Sequence, residues 1–392
     1  MIGEVQKNFH GALVNAKPTL PKPKSARAAL NRIRRTAREI LGLAFDGRLS
    51  RSYWPESPRK SRSRIFCELI WWLMRTGEAN NFYYAYGLDL KSVHRRDLMS
   101  YRRFQWLRNR CNLRVDGARY NYVCMLRDKF VFGQFASSLG VSTPTNLALL
   151  DRDKVTWLDR DETLPLESLA DPDAPGLNGF CKPLAGMQGD DAFPLRIDRG
   201  RFFVGDRPIS LDELRARLPG RFLFQQRIEQ HPLMSRLNAS SVNTMRLISF
   251  CIDGQATVLH GVLRIGVAPS HVDNWAAGGL IASIDLERGE LRGDGFFKPG
   301  AGGRTPAHPV SGIRFDGFVL PHFAAAMAMV KRLHEYLPQI YSIGWDVAIS
   351  TDGPLIVEGN DDWDAGCLMV LEQGFRQQFL ALCAKRDATR TS

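Results

Sequence analysis

Ser342 to Asn360 reads SIGWDVAISTDGPLIVEGN. Ser342 to Ser350 and Leu355 to Asn360 have the apolar character of strands, and Thr351-Asp352-Gly353-Pro354 between them carries turn chemistry, so the stretch predicts a β-hairpin. A turn centred near Asp352 sets Asp346 opposite Glu358 and Gly344 opposite Asn360 on one face. Trp345, Val347, Ile349, Leu355 and Val357 then take the other. One face is apolar and one acidic.

Side chains directly opposed on a sheet have Cβ atoms roughly 4.5 to 5.5 Å apart, so two ionised carboxylates there destabilise the pair unless a cation lies between them. The alternative is a surface hairpin whose acids are solvated or paired with Lys or Arg. If a metal is present, its ligands are all oxygens and only two are acids. That suits Mg2+, which keeps waters and completes its octahedron with phosphate oxygens. Gly344 leaves room opposite Asn360.

With 392 residues and 44% hydrophobic content, the chain can bury a core spread over two or three structural units. Its net charge of +12 is uneven: residues 1 to 110 hold 23 Lys and Arg against 8 Asp and Glu, which is +15, and the other 282 residues sum to −3. The basic character therefore describes an accessory segment, separate from the fold that carries the acidic hairpin. Seven Cys, an odd number without metal-type spacing, argue against a disulfide framework and a structural zinc site and point to buried reduced thiols in a cytoplasmic chain. Neither a secretory signal nor an apolar run of roughly 18 to 20 residues is found, which excludes an integral membrane protein.

Residues 1–26, with PTLPKPKS, are expected to be a loose tail, and Arg27 to Leu43 a basic helix. Arg64 to Arg75 is a short helix rich in Trp and Leu. It either lies at a membrane interface or docks on its own domain. Tyr83 to Gly87 and Tyr101 to Arg110 continue a helical, basic module, whose Arg and aromatic residues also raise RNA as a partner. From Asp128 the texture becomes α+β. A helix runs from Asp128 to Leu139 and stops at Gly140, strands are expected at Phe180 to Pro183, Arg221 to Gln226, Ser241 to Ile252 and Gln255 to Ile265, and Pro321 opens a helix to Tyr336.

Lys182-Pro183 followed by Gly186 and Gly189 has the layout of a phosphate cover, in which a Lys meets phosphate oxygens and glycines let backbone N–H groups approach. The same pattern also makes an ordinary turn. Walker and Rossmann spacings are both missing, which removes those nucleotide folds. Arg246 lies inside an apolar strand, where it needs an anion, and Arg264 repeats the pattern on the partner strand. A two-residue turn at Asp253-Gly254 puts the two Arg on opposite faces unless a bulge intervenes. Each could equally be a structural ion pair.

In sequence order, Asp128-Lys129, Lys182-Pro183 with its Gly loop, Gln225-Gln226-Arg227-Ile228, an Arg-bearing strand, and Asp346, Glu358 and Asn360 resemble the ATP-grasp superfamily. QQRIEQHPLM, SSVNTMRLISF, VDNWAAGGLIASID, HPVSG and the terminal hairpin are similar to its sugar-transfer-associated family. The resemblance covers roughly Tyr83 to Asn360. It implies an α+β fold of two lobes gripping ATP, preceded by a basic, mainly helical N-terminal module. The boundaries expected are 1–26 for the tail, 27–115 for the module, 116–224 for the first lobe and 225–392 for the second.

It further implies ATP and Mg2+ as cofactors. Lys129 and Lys182 contact phosphates, Gly186 to Gly189 fold over them, Gln226 and Ile228 present backbone groups to adenine, and Glu229 faces ribose. Asp346, Glu358 and Asn360 match the magnesium ligands, and Arg246 and Arg264 neutralise the transferred phosphoryl. Asn274 and His260 are candidate substrate contacts. Gln225-Gln226 departs from the acid and Lys that many relatives carry at the hinge. The expected reaction joins a carboxylate to an amine through an acyl phosphate, in polysaccharide or glycoconjugate assembly. Its alternatives are a kinase acting on a hydroxyl and, from another class, a basic nucleic-acid-binding protein with a vestigial site. Peripheral membrane contact through the basic module is the further partner expectation.

Overall fold

The computed structural model describes residues 26–47, 49–93, 97–112, 121–173, 176–185, 191–267, 275, 278–371 and 374–388. Residues 1–25 of the expected tail, Gly186, Gly189 and Asn274 lie outside them.

Among the described residues three helices come first: α1 (Ala26–Phe45), α2 (Arg62–Thr76) and α3 (Tyr101–Asn112). The Ser61 hydroxyl caps α2 by accepting the Arg64 N–H, and Gly77 ends it in the left-handed conformation at φ 76°. Tyr83 to Gly87, expected to be helical, instead forms turns. Tyr83 donates its hydroxyl to Glu68 (2.6 Å) and Tyr84 to the Leu43 carbonyl (2.6 Å), so side-chain anchors to α1 and α2 replace helical bonds. Tyr83, Tyr84 and Tyr86 are buried and present no rings to a nucleic acid.

After α4 (Cys124–Arg127), the helix α5 (Lys129–Ser138) starts at Asp128, whose carboxylate accepts the Phe130 and Val131 N–H groups. The first sheet contains β1 (Asn146–Leu150), β2 (Lys154–Trp157), β3 (Glu162–Pro165), β4 (Leu177–Pro183), β5 (Phe193–Asp198), β6 (Arg201–Val204), β7 (Arg207–Ile209) and, after α6 (Leu211–Ala216), β8 (Phe222–Gln226). Its order among the described residues is β3-β2-β1-β8-β4-β5-β6-β7. Cys181, Leu195, Phe222 and Phe224 centre its core.

Following α7 (Pro232–Leu237), the second sheet is built from β9 (Thr244–Ile252), β10 (Gln255–Ile265), β11 (Leu280–Asp285), β12 (Glu290–Phe297), β13 (Arg304–Thr305), β14 (Ser342–Ser350) and β15 (Gly353–Asn360), in the order β13-β12-β11-β10-β9-β14-β15. Between β13 and β14 lies α8 (Phe323–Glu335), and α9 (Gly366–Leu371) and α10 (Phe375–Ala388) follow β15. Pro321 does not open α8, because His322 sits at φ 54° and the chain enters the helix only after that turn.

Two bulges set the geometry that matters. Asp253 (φ 52°) and Gly254 (φ 79°) make the tight turn between β9 and β10, pairing Ile252 with Gln255. A register shift between Val258 and His260 then sets Arg246 opposite Val262 and Arg264 opposite Thr244. In the last hairpin Ser350 pairs with Gly353, a tighter turn than expected, and a shift between Asp346 and Val347 restores the Asp346–Glu358 and Gly344–Asn360 pairs. The expected apolar face changes accordingly. Val347 pairs with the buried Ile356, and Val357 is turned toward the acidic side.

On the face covered by α8, Trp345 Nε1–H donates to Ser249 Oγ (2.7 Å), and Ser249 lies 2.6 Å from His334 Nδ1. His334 Nε2 is 2.8 Å from the Ile340 carbonyl. A carbonyl can only accept, so the proton sits on Nε2, and the neutral Nδ1 accepts the Ser249 hydroxyl.

The basic module is not separate from the acidic hairpin, contrary to the charge distribution. Phe104 of α3 packs 5.0 Å from Trp363 and 5.0 Å from Phe379, and Phe82 stacks 5.8 Å from Trp275. The Asn112 amide donates to the Ser342 and Asp361 carbonyls (2.9 and 2.7 Å) and accepts the Ser342 N–H (2.9 Å). One apolar cluster contains Ile40, Leu69, Phe104, Ile248, Phe250 and Phe379.

Candidate active site

Residues on one face of an antiparallel sheet repeat every second position, and three neighbouring strands bring such residues together here. Asp346 of β14 stands beside Arg246 of β9 and Glu358 of β15. Arg246 grips Asp346 with Nε on Oδ1 (2.5 Å) and Nη2 on Oδ2 (3.0 Å), and Arg264 Nη2 reaches Oδ2 at 2.9 Å. Arg264 also donates to Thr244 Oγ1 from Nε and Nη2 (3.1 and 2.9 Å). Both Arg therefore face Asp346, because the β10 bulge brings Arg264 onto the Thr244 side.

Asp346 is 1% exposed. Burial pushes its pKa up, but the Arg246 and Arg264 charges outweigh burial and hold it at about 2. Glu358 goes the other way. Burial pushes it up, the Asp346 charge and a hydrogen bond to Asp346 add to this, and Lys129 and Lys182 draw it down. Asn360 Nδ2 donates to Glu358 Oε1 (3.2 Å) and the Gly344 carbonyl (3.3 Å). Gly344 is required here, since a Cβ would meet Trp363 Cβ at 2.6 Å.

These residues border a cavity of about 830 Å³. Lys129, at the start of α5, and Lys182 of β4 line it, as do Gln225, Gln226, Arg227 and Ile228 at the end of β8. Gln226 N–H donates to Thr145 (2.9 Å) and Arg227 N–H to Asn178 (3.2 Å). Of the remaining candidates, Glu229 is exposed and outside the cavity lining. His260 is 3% exposed, with its ring 5.3 Å from Phe375, and is likewise outside the lining. His260 shares the face of β10 that carries Val262 and Arg264, but there Phe375 covers it.

Several lining residues escaped the sequence analysis: Trp275, Lys298, Asp362 and Asp364. Burial raises Asp364, and the Gly366 N–H and Arg108 oppose that shift. The signal was Asp361-Asp362-Trp363-Asp364, an acidic run directly after Asn360. Asp361 itself is held by Arg127, with Nε–Oδ1 at 3.0 Å and Nη2–Oδ2 at 2.8 Å.

Among the described residues no group of three or more His, Cys, Asp and Glu is placed to hold a metal. The candidate donors are two carboxylates and one amide. They fit a hard cation on chemical grounds: all offer oxygen, the Asn360 nitrogen is engaged so its oxygen is the atom left over, and the opposed acids gain from added positive charge.

The chain matches a family described as sugar-transfer-associated ATP-grasp over residues 112–384. No curated protein matches it. Among solved structures it is similar to the ADP complex of N5-carboxyaminoimidazole ribonucleotide synthetase (TM-score 0.36, 13% identity, covering 69% of this chain and 52% of that one). Others are an L-amino acid ligase from Bacillus licheniformis (0.33, 12%, 63% and 43%) and the D-alanine–D-alanine ligase from Helicobacter pylori (0.37, 10%, 66% and 58%). The chain spans about half the length of the first structures it matches.

Proposed function

This chain belongs to the sugar-transfer-associated ATP-grasp family, and from that premise we propose that it is an ATP-dependent ligase joining a carboxylate to an amine. The observation that supports this most is the meeting of Lys129, Lys182, Arg246 and Arg264 with Asp346, Glu358 and Asn360 around one cavity. Four cations around a concave site suit the several negative charges of a polyphosphate. In this proposal Lys129 and Lys182 hold phosphate oxygens, the hinge from Gln226 to Ile228 meets the adenine edge, and Arg246 and Arg264 neutralise the transferred phosphoryl. Asp346, Glu358 and Asn360 hold magnesium, which when bound shields the phosphate oxygens.

In the first half-reaction a substrate carboxylate oxygen bonds to the γ-phosphorus while the bond to the bridging oxygen breaks, leaving ADP. An amine nitrogen then bonds to the acyl carbon, phosphate departs and the nitrogen sheds a proton. The protein contributes position and charge. The family's description supports substrates from glycoconjugate assembly. A hydroxylamine trap tests the reaction: with ATP, magnesium and the correct acid, hydroxamate should accumulate. ADP release without hydroxamate refutes it, and labelled phosphate on a stable product would identify a kinase instead.

A further inference from the structure

We propose that the outer faces of α1 and α2 form a docking surface for an anionic lipid bilayer. α1 has 20 residues, about 30 Å of helix. Leu30, Ile33, Leu41 and Phe45 follow helical spacing along one stripe and are exposed, Ile33 at 65%. Ile40, Leu43 and Ala44 bury the neighbouring flank in the core, so the stripe is surplus to folding. Arg27, Arg34 and Arg38 are exposed on the same helix.

On α2, Ile65 and Leu69 face inward while Trp71 (57%) and Met74 (81%) stand in solvent, with the Arg75 guanidinium 5.1 Å over the Trp71 ring. Phe45 and Phe66, 6.0 Å apart, join the two helices. α2 thus docks on its own domain by one face and leaves an aromatic, basic face uncovered.

Scattered apolar residues need no partner, but a helix-long stripe bordered by Arg marks an interaction surface. Charge selects the partner. Residues 1 to 110 carry +15, so a second copy would bring like charge against like, whereas anionic headgroups complement it. The buried tyrosines leave a nucleic acid few stacking rings in this module. No described helix is long and apolar enough to cross a membrane, so contact would be in the plane of the interface.

The test is flotation of the full chain with vesicles of phosphatidylcholine plus phosphatidylserine, against phosphatidylcholine alone. Binding to the mixed vesicles is expected. Ile33→Glu with Leu41→Glu, and separately Trp71→Glu with Met74→Glu, should each weaken it about tenfold or more. Arg34→Gln with Arg38→Gln should weaken it about twenty-five-fold, near fivefold per arginine. Circular dichroism and ATP turnover should stay unchanged in all three variants. The proposal is overturned if the parent chain ignores mixed vesicles, if the apolar variants bind them equally well, or if the same variants instead abolish a dimer or RNA binding. The vesicle, dimer and RNA readouts that decide the proposal do not depend on the ligase reaction.

Discussion

Acidifying the solution from pH 7 to pH 5 should weaken the fold through one side chain, His334. It is fully buried and has Ser249 on one nitrogen and the Ile340 carbonyl on the other. Burial lowers its pKa from 6.5 to about 4, with the Ile340 bond opposing. The unfolded chain therefore binds this proton between pH 6.5 and 4 while the native state refuses it, so stability falls as pH falls through that window. A gap of 2.5 units amounts to about 3 kcal/mol in full, of which about 2 kcal/mol is lost by pH 5. Urea titrations across the range, on the parent and on His334→Gln, isolate the contribution. The variant should be weaker at pH 7 yet show a shallower acid slope. Parallel slopes, or a native His334 resonance titrating near its ordinary value, would refute the tautomer chain from Trp345 through Ser249 to His334.

Three further outcomes follow from the site and its supports. Glu358→Gln removes one of two opposed carboxylates, so thermal melts should show unchanged or higher stability while magnesium-dependent ADP release drops about a hundredfold; intact turnover would take Glu358 out of the mechanism. Asp346→Asn strands Arg246 and Arg264 without their anion and should cost about 3 to 5 kcal/mol in urea unfolding. A loss under about 1 kcal/mol would mean that the ion pair is dispensable. Asn112→Ala leaves the Ser342 and Asp361 backbone groups unpaired and should cost about 3 kcal/mol, with faster hydrogen exchange in β14. Unaltered exchange there would show that α3 does not brace the strand.

The terminal hairpin was legible because strand alternation and turn residues are local properties, and Asp346 does stand opposite Glu358. What counting could not show is that a bulge produces this pairing, exchanging Ile356 for Val357 in the core. The β10 bulge likewise decided whether Arg246 and Arg264 share a face, and bulges answer to neighbouring strands more than to their own residues. The opposed acids demanded a positive charge, but from sequence a metal and an arginine satisfy that demand equally; both guanidiniums proved to be in contact. Asn112 looked unremarkable because its partners lie 230 and 249 residues away.

That long-range stitching has a practical corollary for anyone trimming the protein. Cutting the chain at the start of the family match, residue 112, would remove Phe104 from between Trp363 and Phe379, and with it the Arg108 donor to the Trp363 carbonyl. Freed apolar surface would then lie next to β9 and β14, so the excised fragment should clump on expression. Evolutionary recognisability and cooperative folding have different edges in this molecule.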